Sequence, residues 1–247
     1  MPLGGTQVGR VQALYRYPVK STGGQALSSA AVTAQGLRHD RRWAAYTEDG
    51  GIASGKRTRR FRPVIGLLAW ASTAEDDEGV PVLVSPGGAR YPVDDPAASA
   101  ALSAAFGRRL TLRPETTIQH HDESPIHLLT TSSVAAVGGL VGAAVDQRRF
   151  RANIVIDTGA EPAFAEDEWT GAELAIGDVV LRLGPGMPRC VMVDQAQAGV
   201  PAEPKTLKSL GAGHRQELGL QAQASRIGTL RVGDEVVLRS PGGSTGR

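Results

Sequence analysis

The chain has 247 residues, a formal net charge of +2, 41% hydrophobic and 21% charged residues, which excludes extended disorder and allows one large domain or two small ones, each with its own core. Aromatics make up only 4%, so that core must be built from Val, Leu, Ile and Ala. A single cysteine, Cys190, excludes an internal disulfide, a Cys-ligated iron–sulfur cluster and a Cys-based structural zinc site.

In chain order, the signal is mostly strand-like. Residues 8–17 alternate hydrophobic and polar types up to Pro18, residues 30–33 are short and β-prone before Gly36, and residues 43–46 end at Glu48-Asp49-Gly50-Gly51. Residues 64–72 and 80–85 read as strands around an acidic turn, 75–79. A helix is predicted at Pro96–Phe106, with Asp95 as cap, Pro96 at the first helical position and Gly107 past the end. A second is predicted over 132–140, opened by Ser and Thr. Residues 174–182 form a hairpin pattern around Gly177-Asp178, and residues 230–239 repeat it around Gly233-Asp234; Gly supplies the positive φ of a tight turn and Asp caps it. The tail, 240–247, is Gly/Ser-rich and expected to be disordered. No apolar run approaches the ~18 residues that span a bilayer, and the first ten residues lack a signal-peptide core, so no membrane span and a cytoplasmic location are expected.

The charge is unevenly distributed. From Arg38 to Arg62 there are eight basic residues and three acidic ones, a local +5 in a chain whose total is +2. Such a run is either a solvated basic loop or an anion site. It has few aromatics for base stacking and no helix-turn-helix or RNA-binding signature, so a small phosphorylated ligand suits it and nucleic acid does not. Cys190 follows a Pro/Gly-rich stretch, Gly184-Pro185-Gly186-Met187-Pro188-Arg189, which leaves one strand and is expected to enter another at Val191. Arg189 would favour the thiolate, the form that binds metals. A lone cysteine is otherwise a small buried hydrophobe.

Several motifs in order resemble one family. Tyr17-Pro18-Val19-Lys20-Ser21 and Asp40-Arg41-Arg42-Trp43 resemble the N-terminal β domain that accompanies MOSC domains. Phe150-Arg151-Ala152-Asn153-Ile154-Val155 resembles that family's Phe-Arg-Pro-Asn-Ile-Val, and residues 164–169, Arg189-Cys190 and Pro204-Lys205-Thr206-Leu207-Lys208 follow in family order. The similarity runs over essentially the whole chain and is nearest to the amidoxime-reducing branch. It implies a mainly β fold, α+β overall: an N-terminal β-rich domain over 8–117 and a β-barrel MOSC domain with a few helices over 118–240, then the tail at 241–247.

The resemblance also implies a molybdenum cofactor of the molybdopterin type, with Cys190 as the metal's protein ligand; a thiolate is a soft donor suited to that role. Lys20 and Ser21 match positions near the cofactor's phosphate. Arg41 and Arg151 fall where planar forks would meet phosphate and pterin edges, with Asn153 and Arg189 beside them. Asp122, in His120-His121-Asp122-Glu123-Ser124-Pro125, resembles an Asp-x-Ser-Pro near the metal, where a carboxylate could handle protons; the alternative is a polar turn. Adjacent His120 and His121 would point apart on a strand, so a shared iron is not expected. Asp167 and Trp169 read as structural, a turn carboxylate and a core anchor. The chain departs from the family in having no Thr between Cys190 and Gly199, so Val193 offers no hydroxyl, and in having Ala152 for Pro. The implied activity is reduction of N-hydroxylated or N-oxide-like small molecules. With no cluster ligands of its own, the chain would take electrons from a ferredoxin, cytochrome or flavoprotein. The alternative is a carrier of the cofactor or of sulfur.

Overall fold

The computed structural model describes residues 5–75 and 79–240; the rest of the tail expected to be disordered (241–247) and the middle of the acidic turn (76–78) lie outside them. Seven strands close a barrel: β1 (Thr6–Arg16), β2 (Ile126–Thr130), β3 (Ile154–Asp157), β4 (Glu173–Ile176), β5 (Val179–Pro188), β6 (Glu217–Arg226) and β7 (Glu235–Arg239). Their order around the barrel is β3-β2-β6-β5-β4-β7-β1, and β1 pairs back onto β3. Only the β2–β3 pair is parallel; the others are antiparallel. Every second residue faces inward, as the pleat requires: Ile126 and Leu128, Ile154 and Ile156, Leu174 and Ile176, Leu181 and Leu183 share one core with Trp169. Closure leaves none of these seven strands with a free edge.

Two helices packed on each other cover the outside of the barrel, the first over β2 and β3 and the second over β6. The first, Thr131–Val141, is capped by Thr130, whose hydroxyl accepts from the Ser133 N–H. The second, Thr206–Gly213, was not predicted: Gly211 and Gly213 spoil its propensity, and its first turn is held by a residue remote in sequence, with Leu207 N–H donating to Asp194 Oδ1 at 2.8 Å. Leu129, Val137, Val155 and Leu210 form the core beneath them, together with Phe150 and Val193.

The residues between β1 and β2 build smaller sheets. Leu110–Pro114, Trp43–Thr47, Ile52–Ser54 and Phe61–Pro63 form one, and Arg90–Pro92, Val82–Val84 and Ala71–Thr73 another. The helix Pro96–Phe106 has the predicted ends, with Ala97 N–H donating to Asp95 at 2.8 Å and Gly107 left-handed at φ 60°. A third sheet, Gly228–Arg231, Ser29–Thr33 and Gly36–Leu37, ties early and late chain together.

Three expectations are corrected. Residues 64–70 are not strand: Gly66 is left-handed and a 3-10 turn, Leu67–Ala69, drives Leu67 and Leu68 into the core, leaving only Ala71–Thr73 extended. The chain does not re-enter a strand at Val191; β5 runs on to Pro188 and Cys190 opens a 3-10 turn, Val191–Val193. The second hairpin pattern has its turn but not its pairing. Gly233 takes φ 93° and Asp234 accepts from the Arg231 N–H at 2.8 Å. The flanking strands then part, because Gly228–Arg231 pairs with Ser29–Thr33 while β7 pairs with β1 and β4. The Gly-Asp pair is the same in both patterns; the partners offered by the rest of the fold are not.

Candidate functional site

A cleft of about 700 Å³ of empty space, its open mouth included, lies between the smaller sheets and the barrel. Lys20, Ser21, Arg41, Asp122, Arg151, Asn153, Arg189 and Cys190, the residues singled out in the sequence, all line it. Six basic side chains line it in total, with Lys56 and Arg149 joining Lys20, Arg41, Arg151 and Arg189, against the carboxylates of Asp122 and Glu123.

Each is delivered by a local device. Lys20 and Ser21 follow β1, where Lys20 N–H donates to Trp43 O at 2.7 Å and Ser21 takes the left-handed φ of 63°. Arg41 (φ 53°) and Arg151 (φ 56°) are left-handed as well. Non-glycine residues avoid that region at a cost of about 1–2 kcal/mol each, and such strain gathers at working sites. The Tyr17 ring holds the two arginines together, with guanidinium carbons 4.9 Å (Arg41) and 4.3 Å (Arg151) from its centroid. Burial pushes the Tyr17 hydroxyl up to about 12 against the pull of both arginines, so it stays protonated. Arg41 also pairs with Asp40 and donates to Arg151 O at 3.1 Å, and Arg151 donates to Thr22 O at 2.6 Å.

Opposite them, Asp122 receives Lys20 Nζ at 2.5 Å on one oxygen and Lys56 Nζ at 3.0 Å on the other. Burial would raise its pKa, but the two ammonium groups outweigh that and hold the carboxyl well below the usual range. Asp122 is therefore a carboxylate at neutral pH. Lys20 is pushed down to about 8 by burial, with Asp122 opposing and Arg41 adding to the push, so it is the group of the pair that titrates nearest neutrality. Lysine is cationic below its pKa, so the cleft loses a positive charge as pH rises through that value. Sulfate, measured by calorimetric titration between about pH 7 and pH 9.5, should bind at least about threefold more weakly at the alkaline end; a flat profile would contradict this account of Lys20.

The cysteine lies across the cleft. Arg189 N–H donates to Gln216 O at 2.8 Å and the Gln216 amide returns a bond to Arg189 O at 2.9 Å, while Arg189 Nη2 donates to Phe150 O at 2.7 Å. Arg215 and Gln216 are both left-handed, φ 46° and 60°, so this clamp too is built on strained backbone. Cys190 is half-buried and unpaired in any disulfide. Asn153 sits lower in the wall, its oxygen accepting from His127 N–H at 3.1 Å and its amide donating to Tyr15 O at 3.3 Å, which leaves one N–H for a ligand. Phe150, Met187, Met192 and Val193 supply an apolar side.

Of the basic run from Arg38 to Arg62, only Arg41 and Lys56 reach the cleft. Arg42 pairs with Glu115 and Arg62 with Asp49 at 2.6 and 2.5 Å. His120 and His121 part: His121 faces the cleft, while His120 bonds Tyr46 Oη at 2.9 Å and Arg41 O at 3.0 Å and is kept neutral by burial, its pKa lowered to about 4. Asp167 bonds His214 Nε2 at 2.8 Å, and Trp169 is buried in the barrel. Sequence reasoning missed Arg149, whose guanidinium bonds Val193 O and Pro201 O at 2.7 and 2.6 Å; its place beside the Phe150-Arg151 motif was the available signal.

The donor set fits a large anion with hydrogen-bonding edges. Arg149 Nε, Arg151 Nη2 and Arg189 Nε are buried with no hydrogen-bond partner, and such a group costs about 1–3 kcal/mol until one arrives. Among the described residues no cluster of three or more His, Cys, Asp or Glu is placed to hold a metal ion. No helix among the described residues is long and apolar enough to cross a membrane.

Residues 8–103 match the MOSC N-terminal beta barrel domain and residues 115–237 the MOSC domain. The chain is 28% identical to the mitochondrial amidoxime reducing component 2 of Bos taurus (93% of this chain, 83% of that one) and 27% identical to the mitochondrial amidoxime-reducing component 1 of Homo sapiens (94% and 83%). It is 26% identical to a molybdenum cofactor sulfurase of Oryza sativa, over 76% of this chain and 28% of that protein. The crystal structure of the YUAD protein from Bacillus subtilis shares the fold, with a TM-score of 0.52 at 11% identity over 94% of this chain and 96% of that one.

Proposed function

We propose that this chain, which belongs to the MOSC family and carries the family's N-terminal β-barrel domain, binds a molybdenum cofactor of the molybdopterin type in its cleft. With electrons from a separate carrier it reduces N-hydroxylated or N-oxide-like small molecules. The observation that carries this reading is the convergence of six basic side chains and the chain's one thiol on a single cavity. Relatives named as amidoxime reducing components support the reaction class.

When bound, the cofactor supplies the redox chemistry at its metal. The protein's own residues do the rest. Lys20 and Lys56 offer two ammonium groups to a phosphate beside Ser21, whose hydroxyl donates to Ser54 Oγ at 3.1 Å and would turn from it to bind, while Arg41 and Arg151, both held against the Tyr17 ring, present planar forks to phosphate or carbonyl oxygens. Asn153 contributes its spare N–H. Cys190 provides the soft sulfur ligand. Asp122 keeps Lys20 in place and lets its Nζ hold a proton that a substrate oxygen can accept, and Phe150 and Met192 keep water from one wall.

Protein from a host that makes the cofactor should contain about one molybdenum per chain and should consume an amidoxime with reduced methyl viologen as donor, at a rate on the order of 1 per second. Molybdenum-free protein from such a host would defeat the reading. The match to a cofactor sulfurase favours a second one, a cofactor or sulfur carrier, which would show bound molybdenum without turnover.

A further inference from the structure

Between Asp49 and Glu75 the sequence has no carboxylate and five cations: Lys56, Arg57, Arg59, Arg60 and Arg62. Lys56 turns inward to Asp122. The loop is seated on the cysteine segment, because Gln195 donates to Gly55 O at 2.7 Å and a β-carbon at Gly55 would come within 2.3 Å of Gln195 Oε1. It is also tied to the opposite wall, since Arg60 donates to Gln119 O and to His121 O, next to Asp122. Arg57 and Arg59 are exposed, and among the described residues neither side chain has a partner. Below them a shallow depression is lined by Tyr46, Asp49, Arg59, Arg60, Arg62 and Ile118, the last 53% exposed, and its one carboxylate, Asp49, is already paired with Arg62. Unpaired arginines around an exposed aliphatic side chain suit a face for an acidic protein partner. The loop's one aromatic, Phe61, is buried beneath Lys20, Lys56 and Arg60, so no ring is offered for stacking on nucleic-acid bases.

We infer that this face, formed by the loop at 56–62 with Ile118, is the docking site for an acidic electron-transfer protein, which it seats at the mouth of the cleft. The inference rests on the reductase reading, which makes an outside carrier necessary. Complementary charge sets the encounter rate and the orientation of the carrier, and the exposed Ile118 supplies an apolar contact that remains when salt screens the charges.

The test uses the full chain and a plant-type [2Fe–2S] ferredoxin as the acidic probe, with basic cytochrome c as the control. Ferredoxin should bind at low ionic strength and lose at least about tenfold in affinity in about 0.5 M NaCl. The double variant Arg57→Glu/Arg59→Glu should lose about tenfold or more, with an unchanged melting temperature and unchanged turnover with methyl viologen. Cytochrome c should not bind wild type. Absence of ferredoxin binding, or binding that the double variant leaves intact, overturns the inference even where viologen-driven turnover is normal. Ferredoxin binding that the variant abolishes, in a protein with no viologen turnover, keeps the docking face and removes the reductase reading instead.

Discussion

Replacing Cys190 with serine should leave a folded protein that retains less than about a tenth of the molybdenum expected of the wild type. The substitution is tolerated structurally because the side chain is half-buried and the backbone around it is held without it: Gln216 clamps Arg189 on one side, and the Val193 N–H donates to Cys190 O at 3.0 Å on the other. The effect on the metal is large because the two side chains differ in the property that counts. Sulfur is a soft, polarizable donor that suits a metal of this kind, whereas the serine oxygen is hard. Metal analysis of both proteins from the same host, with the pterin measured separately, checks it. Equal molybdenum in wild type and Cys190→Ser would mean that the metal is held without the sulfur.

The second large effect is expected of Lys20→Met. Methionine matches the length and much of the volume of the lysine stem, so a site only 4% exposed is refilled without a void. What is lost is one of the two cations on Asp122, leaving its carboxylate with Lys56 alone. Anion affinity, read with sulfate or with the cofactor's phosphate, should fall about tenfold to a hundredfold, the worth of one charge-assisted hydrogen bond in a dry site. The pKa of Asp122 should rise toward its ordinary value, visible as a carboxyl titration by NMR. Lys20→Met/Asp122→Asn separates the two contributions: it removes the charge and its internal partner together, and should recover part of the lost affinity. A single variant that binds sulfate as tightly as wild type would show that the phosphate grip lies elsewhere.

Much of the architecture could be read from local chemistry. Pro96–Phe106 is bounded by Asp95, Pro96 and Gly107, three residues that act within one turn of their own position. The hairpin at Gly177-Asp178 was legible for the same reason, since β4 and β5 are each other's neighbours. The pattern at Gly233-Asp234 was not, because its strands are claimed by Ser29–Thr33 and by β1 from the other end of the chain. The site divides in the same way. Lys20, Ser21, Arg41, Asp122, Arg151 and Cys190 were found because they sit in motifs whose order matches a family. Lys56 was visible only as one charge in a basic run, and nothing in its neighbours distinguishes it from Arg57 or Arg59; the fold selects it by turning it toward Asp122. The left-handed backbone at Ser21, Arg41 and Arg151 has no sequence signal at all, since no glycine marks it.

That β1 is hydrogen-bonded between β3 and β7 has a consequence for synthesis. The first stave of the barrel leaves the ribosome long before the last one, β7, exists to lie against it. For most of translation β1 waits as a half-apolar strand paired only near its end, where Leu14–Arg16 meets Gln25–Leu27, and the smaller sheets that follow it can form while it does. Closure is a late event with a long loop to draw in, which is slow by chain entropy. A polypeptide started at the MOSC match itself, at residue 115, would never close: β3 and β7 would face each other across a missing stave, with both edges open to any strand that passed.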